Sequence, residues 1–359
     1  VVQYPYNEGT RRRRKIVKTR AAILHQTEAD LIVDEVEIPK LGYGQALVRI
    51  LTTRICGSQI GEIDAVKGTD RYLPHLIGHE ATVEVLELGP GIQHLKTGGR
   101  AVAHWRPGEG VDAGGTRYRW KGVDCNAGPI TTFQEISVIS ANRLTRVPQD
   151  TDPELGALMA DTLTTGFGVI HHEARVKIGE AVVIIGCGGI GSGALLGAIL
   201  AGAHPVIAVD LHDSKLALAK KLGATETFSA RDPAWAEKVR AFLGHSADVV
   251  IDGTGQPAVL EQAYELCGPR GRCIGIGVMR HDRKLSINTL PLHLGRVLTG
   301  SEGGSSQPHR EIPKYLRILD DRKISTKDWV THRCTLTDIN QGIRWMRSGE
   351  PIHVMVRPA

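Results

Sequence analysis

AVVIIGCGGIGSGALLGAILAGA, residues 181–203, decides the fold. It carries no charge over 23 positions, long enough to cross a bilayer. Seven of those positions are glycine, however, and they fall in a patterned cluster around GCGGIG, Gly186–Gly191. A buried strand (AVVII), a tight turn and a buried helix explain the run better than a membrane span. Each glycine has a task in such a turn. Gly186 permits the bend, Gly188 lets the backbone approach a pyrophosphate, and Gly191 lets the helix pack against the strand. The helix N-terminus then offers N–H donors and a positive dipole to the phosphates. Asp210 closes the next apolar strand, 19 residues beyond Gly191. Its carboxylate can accept hydrogen bonds from both adenosine ribose hydroxyls and would repel a 2′-phosphate, so the pattern favours NAD over NADP. Gly189, Ile190 and Gly277 (in GRCIGIG) are assigned to the same cofactor site.

Outward from this motif the texture is consistent. After 181 the runs AVVII, PVIAVD, DVVIDGTG and GRCIGIG alternate with helical stretches such as DSKLALAKKLGA. Continuous apolar strands without alternation mark a parallel sheet covered on both faces. Residues 168–302 therefore read as an α/β, doubly wound Rossmann domain for NAD, which makes the chain a nicotinamide-dependent oxidoreductase. Upstream, residues 21–55 alternate apolar and polar (ALVRILTT), and Gly/Pro punctuation continues to about 150, as in a β-rich domain. Beyond 302 come a helix (EIPKYLRILDD), a short strand near WVTHRCTL, a helix (DINQGIRWMRSG) and a last strand (HVMVRP). The expected division is a basic, flexible tail at 1–18, a catalytic domain in two pieces, 19–167 and 303–359, and the cofactor domain inserted between them.

The bulk numbers agree. A chain of 359 residues exceeds one usual core, and 41% apolar with 23% charged residues is ordinary for a soluble globular protein. The net charge of +5 hints at nucleic acid, but residues 1–20 alone hold +6, so the body is nearly neutral and no broad nucleic-acid footprint exists. The RRRRK run at 11–15 reads either as a solvated tail or as a localisation or nucleic-acid patch. The six cysteines form no C-x-x-C pair and no signal peptide precedes them, which predicts reduced thiols and a cytoplasmic protein.

Three further fragments carry chemistry: ICGS at 55–58, GHE at 78–80 and DTLTTGFG at 161–168. Cys56, His79 and Asp161 supply one thiolate, one imidazole and one carboxylate. Three protein ligands with an open fourth position is how catalytic zinc is held. With these motifs in order, the chain resembles the zinc-dependent medium-chain dehydrogenase/reductase family of the alcohol dehydrogenase type, from about residue 21 to the C-terminus. The resemblance rests on ICGS, LIGHE, TTGFG, GCGGIG, and the pair Asp210 and Lys215. It implies a β-rich GroES-like catalytic domain beside the Rossmann domain. It makes Cys56, His79 and Asp161 the ligands of one catalytic zinc, and Glu80 an acid that ligates transiently or acts from behind them. It gives Ser58 the proton relay, sets Thr165 and Ile190 against the nicotinamide and Lys215 near the ribose, and makes Trp105 a wall of the substrate pocket. Zinc as Lewis acid would then interconvert a secondary alcohol and its ketone by hydride transfer to or from NAD. A homodimer or homotetramer is common in that family.

The chain also departs from the family. The region 104–130 has Cys125 alone where many members carry four clustered cysteines, so a single zinc is expected and the Gly-rich loop must be held by other contacts or move. Gly61 stands where relay-competent members have histidine, leaving the proton to exit by water, the ribose or another side chain. His353 stands where some members contact the phosphates with arginine. Arg106, Arg117, Arg119, Lys121 and Trp120 could clamp a polar or anionic substrate such as a polyol, a sugar phosphate or a nucleotide sugar, or form a solvated basic loop. Two other functions compete: a zinc-free reductase of activated double bonds, which would lack the Cys/His/Asp set, and a non-catalytic NAD-binding protein.

Overall fold

The apolar run at 181–203 divides where its glycines fall. In this computed structural model, which describes residues 17–358, the first portion runs β1 (Lys18–Leu24), β2 (Ile32–Glu37), β3 (Gln45–Ile55), α1 (Gly57–Ile63), β4 (His75–Leu76), β5 (Glu80–Leu88), β6 (Arg100–His104), β7 (Thr116–Trp120), β8 (Val123–Ala127), β9 (Ile136–Ser140) and β10 (Leu144–Arg146). A helical rod follows: α2 (Pro153–Leu158), a π-helical turn over Met159–Leu163, α3 (Thr164–Gly168) and a second π-helical turn over Val169–Glu173. Next come β11 (Val182–Ile185), α4 (Gly189–Leu200), β12 (Val206–Asp210), α5 (Asp213–Leu222), β13 (Glu226–Ser229), α6 (Trp235–Leu243), β14 (Ala247–Asp252), α7 (Pro257–Leu266), β15 (Cys267–Gly275), α8 (Leu290–His293) and β16 (Val297–Gly300). The chain ends with α9 (Pro308–Asp321), β17 (Val330–Thr335), α10 (Ile339–Ser348) and β18 (His353–Arg357).

The six strands β13-β12-β11-β14-β15-β16 form one parallel sheet in that order. This is the doubly wound arrangement, whose ligand crevice lies at the C-terminal ends of the two central strands. The all-apolar strand VVII explains itself here. Val182 and Ile184 pack into one core and Val183 and Ile185 into another, so both faces of β11 are covered. Each such side chain contributes about 1.5–3 kcal/mol by leaving water. No helix among the described residues is long and apolar enough to cross a membrane.

The upstream strands form a closed barrel, β1-β2-β7-β8-β4, and a seven-stranded sheet, β10-β6-β5-β3-β18-β17, with β9 also paired to β3. β18 lies antiparallel to β3, with Val354 opposite Ile55, so the C-terminus returns to the strand that leads into Cys56. Of the region 104–130 expected to be a Gly-rich loop, 105–115 is a loop and 116–127 is instead the β7–β8 hairpin. It turns through Lys121 (φ +49°) and Gly122 (φ +83°) and closes the barrel onto β2 and β4. Cys125 is fully buried there beside Ile23, Val36 and Tyr118, and burial pushes its thiol up to about 12. Lys18 already pairs with Glu37 in β1, so regular structure begins one residue before the expected boundary at 19. The basic run at 11–15 lies outside the described residues.

The rod is clamped at both ends. Asp152 caps α2, accepting from the N–H groups of Glu154 and Leu155 at 3.0 Å each, with Pro153 pre-set for the first turn. Gly156 sits so close to β5 that a Cβ would fall 2.2 Å from Thr82 Oγ1. At the other end α3 crosses α4 backbone to backbone. A Cβ on Gly166 would lie 2.5 Å from Ala194 N, and one on Gly193 would lie 2.5 Å from Thr162 O. This seam accounts for the small-residue composition of GIGSGALLGAIL: α4 is buried between sheet and rod, with no wet face to make polar.

Candidate active site

β3 delivers Cys56 to the N-terminus of α1. The Gln59 side chain accepts from the Cys56 N–H at 2.7 Å and turns its amide toward Nδ1 of His79. His79 follows Gly78, whose φ of +98° and contact with Thr132 and Phe133 (a Cβ would lie 2.5 Å from Thr132 Oγ1) explain the glycine of LIGHE. Asp161 sits on the first π-helical turn, a local irregularity common at functional positions. These elements bring Cys56, His79, Glu80 and Asp161 together, with one ligand atom of each within 4.8 Å of the others. The Cys56 sulfur lies 3.7 Å and His79 Nε2 3.5 Å from Asp161 Oδ2. A sulfur, an imidazole and two carboxylates converging in a largely buried pocket fit a zinc ion.

The electrostatics show a site built for a cation. Burial works against a charged His79, but Asp161, Cys56 and Glu80 outweigh it and hold its pKa well above the ordinary imidazole value. Burial works against an ionised Asp161 too, yet His79, Arg54 and Thr165 hold it well below the carboxylate range. Glu80, which is fully buried, is pushed up to about 7 by burial and reinforced by Asp161, against the pull of Arg54 and His79. Without a metal, protons and Arg54 serve as the counter-charges for this group of acids.

The other expected residues surround this cluster. Trp105 Nε1 donates to Asp161 Oδ1 at 3.0 Å, and Thr165 Oγ1 donates to the same oxygen at 2.6 Å. Ser58 Oγ is buried without a hydrogen-bond partner, so its hydroxyl is free for a ligand. Across the rod, Gly186 has φ +85°, and a Cβ on Gly191 would lie 1.9 Å from Gly186 O, so the turn and the helix approach need both glycines. Gly188 opens α4 with nothing within 4 Å of its Cβ position, leaving a cradle above the helix N-terminus. Ile190 is half-buried next to it. Gly277 presses on the loop opposite, where a Cβ would lie 2.2 Å from Gly255 N. Asp210 ends β12 as expected and accepts from the N–H groups of Cys187 (2.8 Å) and His212 (2.9 Å), which fixes its carboxylate beside the glycine turn. Lys215 is buried in the first turn of α5.

A cleft of about 750 Å3 opens beside His79, lined by Gly61, Tyr72, His75, Arg117 and Thr131 among others. Most of the basic residues that could have clamped an anion are committed elsewhere. Arg119 pairs with Asp124 at 3.1 Å, Lys121 pairs with Asp34 at 3.1 Å and lies over Trp120, and Arg106 donates to the backbone oxygens of Glu302 and Ser306. Two residues in contact with the cluster escaped the sequence reading. Gln59 sits between Cys56 and His79, and nothing in ICGSQ marks it. Arg54 is 1% exposed, with one guanidinium nitrogen 2.8 Å from Glu80 Oε1 and 3.7 Å from Asp161 Oδ2. No signal marked it: Ala46, Val48 and Ile50 alternate inward, but a bulge before Thr52 breaks the period and residues 52–55 are all buried.

Comparison with known proteins gives two family matches, "Alcohol dehydrogenase GroES-like domain" over residues 42–149 and "Zinc-binding dehydrogenase" over residues 189–321. The chain is 28% identical to alcohol dehydrogenase 6 of Peromyscus maniculatus, across 96% of this chain and 99% of that protein. It is also 28% identical to S-(hydroxymethyl)glutathione dehydrogenase of Paracoccus denitrificans, across 95% and 100%. Among solved structures, an alcohol dehydrogenase zinc-binding domain protein from Burkholderia ambifaria superposes with a TM-score of 0.88 at 25% identity, across 96% of this chain and all of that one.

Proposed function

The chain belongs to the zinc-type medium-chain dehydrogenase/reductase family of alcohol dehydrogenases, and from that premise we propose that it is a zinc-dependent, NAD(H)-linked dehydrogenase interconverting a secondary alcohol of polyol, cyclitol or sugar-like type and its ketone. The observation that carries this reading is the convergence of Cys56, His79, Glu80 and Asp161 within 4.8 Å, the last of them on a rod that packs against the glycine turn's helix at Thr162 and Gly166. Cys56, His79 and Asp161 would hold the metal. Bound there, zinc would supply Lewis-acid polarisation of the substrate oxygen, and NAD would supply the hydride acceptor.

The chain's own groups have defined parts in this reading. Trp105 and Thr165 fix Asp161 through its Oδ1, which leaves Oδ2 turned toward Cys56 and His79. Ser58, with its unpartnered hydroxyl, takes the substrate proton and passes it on. Gly61 offers no side chain to continue that path, so the proton leaves through water in the cleft it lines or through the ribose. Asp210 orients the adenosine ribose and repels a 2′-phosphate, Lys215 lies near the ribose, and Gly188 admits the pyrophosphate to the N-terminus of α4. The division proposed for these tasks is a catalytic part at 19–167 and 303–359 and a cofactor part at 168–302. A homodimer or homotetramer is supported by the far edge of the parallel sheet, where β16 has no outer partner among the described residues and Leu290 and Leu294 are more than half exposed.

Metal analysis and an NAD-reduction screen test the proposal together. About one zinc per chain should be found, and its removal by a chelator should abolish NADH formation from a secondary alcohol or polyol. A metal-free protein with undiminished activity would overturn it.

A further inference from the structure

The arrangement of Arg54 and Glu80 bears on how the fourth position of the zinc site proposed above stays open; the inference rests on that site. Glu80 lies inside the ligand cluster, 3.8 Å from His79 Nε2, and both its oxygens are buried without a hydrogen-bond partner. A fully buried carboxylate needs a cation. Two are within its reach: the guanidinium of Arg54 at 2.8 Å, or a metal held by its neighbours. The contact with Arg54 is a close ion pair between two fully buried groups.

Arg54 is confined by packing. It rises from the buried end of β3, and a Cβ on Gly189 would lie 2.7 Å from its Nη1. The same nitrogen lies 3.4 Å from Nδ1 of His353, which is itself stacked on Trp329 with ring centroids 6.0 Å apart. Burial, Arg54 and Lys215 all press His353 toward its neutral form, so it adds no competing charge beside the guanidinium. A permanently charged group, confined by its neighbours, therefore stands behind Glu80.

We propose that Arg54 is a positioning residue that holds Glu80 back from the metal, so that three ligands bind zinc and the fourth place is kept for substrate. Charge balance agrees. Zinc is neutralised by the ionised Cys56 and Asp161, and Arg54 by Glu80. Without Arg54, the neutralising partner left to Glu80 is the metal, and the site closes into a four-ligand structural type.

The test uses the zinc-loaded full chain and reads zinc release to a chromophoric chelator, with turnover as a second readout. Arg54→Met removes the cation and keeps the packing volume. Its zinc should leave at least about tenfold more slowly than from wild type while turnover falls, and Glu80→Gln added to it should return release to the wild-type rate. A merely structural role for Arg54 predicts the opposite sign: zinc leaving faster from Arg54→Met, unaffected by Glu80→Gln, overturns the proposal. Should Arg54→Met fail to fold, Glu80→Gln alone decides. Wild-type zinc retention supports Glu80 as a non-ligand at rest, and tenfold faster loss refutes it. Wild-type protein that binds no zinc would sink the metal site itself, an outcome distinct from these.

Discussion

Gly193→Ala is expected to destabilise the protein and loosen its metal, although alanine is the better helix former. In an unconstrained helix interior, glycine to alanine gains about 1 kcal/mol. At Gly193 the added methyl would sit 2.5 Å from the carbonyl oxygen of Thr162 and 3.3 Å from its carbon. That neighbour is backbone and cannot rotate away, so α4 and the rod must separate by several tenths of an ångström. Overpacking of this kind costs about 1–3 kcal/mol, occasionally more. The net loss should reach up to about 2 kcal/mol, read as a lower urea midpoint at unchanged slope. Gly61→Ala in α1 is the control, because its Cβ would meet Val66 at an ordinary 3.7 Å, and it should gain about 0.5–1 kcal/mol. Thr162 adjoins Asp161 on the π-helical turn, so Gly193→Ala should also lose zinc to a chelator faster than wild type. Stabilisation of both variants to the same degree would refute the close seam between α3 and α4.

Asp210→Ala removes the acceptor of the Cys187 and His212 N–H groups as well as the ribose contact; NADH fluorescence titration should show at least about tenfold weaker binding, with exclusion of NADPH relaxed, and melting should show a loss of about 1–3 kcal/mol. Asp210→Asn, which keeps one acceptor oxygen, should lose less stability, and a wild-type preference for NADP would contradict the ribose argument. Glu154, on the solvent side, accepts a bidentate pair from Arg333 at 2.7 Å each and a further bond from Arg357 at 2.9 Å, and these hold its pKa below the ordinary carboxylate value. A lowered folded-state pKa means stability present above the ordinary carboxylate range and lost as pH falls, so Glu154→Gln should cost about 1 kcal/mol near neutrality. That difference should fade below pH 4 in urea titrations, and a penalty independent of pH would disprove the assignment. Cys125→Ala should leave zinc content unchanged at about one per chain and cost about 1 kcal/mol for the deleted core atom; lost metal would show that Cys125 is a ligand.

The parts of this fold that were readable in the sequence are those with a local cause. The buried strand VVII, the turn GCGGIG and the acid closing β12 follow one another within thirty residues, and each residue type has a stereochemical reason to stand where it does. ICGS, GHE and DTLTTGFG were legible as parts of one site, and the structure brings Cys56, His79 and Asp161 together. The β7–β8 hairpin was not: RYRWKGVDC reads as a basic Gly-containing loop until β2 and β4 are present to pair with it, and those partners lie far off in the chain. The pairing of β18 with β3 is likewise invisible to any local window. Arg54 was missed for a different reason. The alternation of β3 breaks at a bulge before Thr52, and only the three-dimensional arrangement supplies the acids that make a buried guanidinium tolerable.

The rod from Pro153 to Glu173 is fastened at one end to the barrel-side sheet through Gly156 and Thr82, and at the other to α4 through Gly166 and Gly193. Gly193 meets the carbonyl of Thr162, so the seam with α4 grips the rod at the π-helical turn itself. Asp161 stands on that turn. The backbone that carries this carboxylate toward Cys56 and His79 is therefore seated on the helix that begins at the glycine turn, and the acid cluster and the glycine turn share one support.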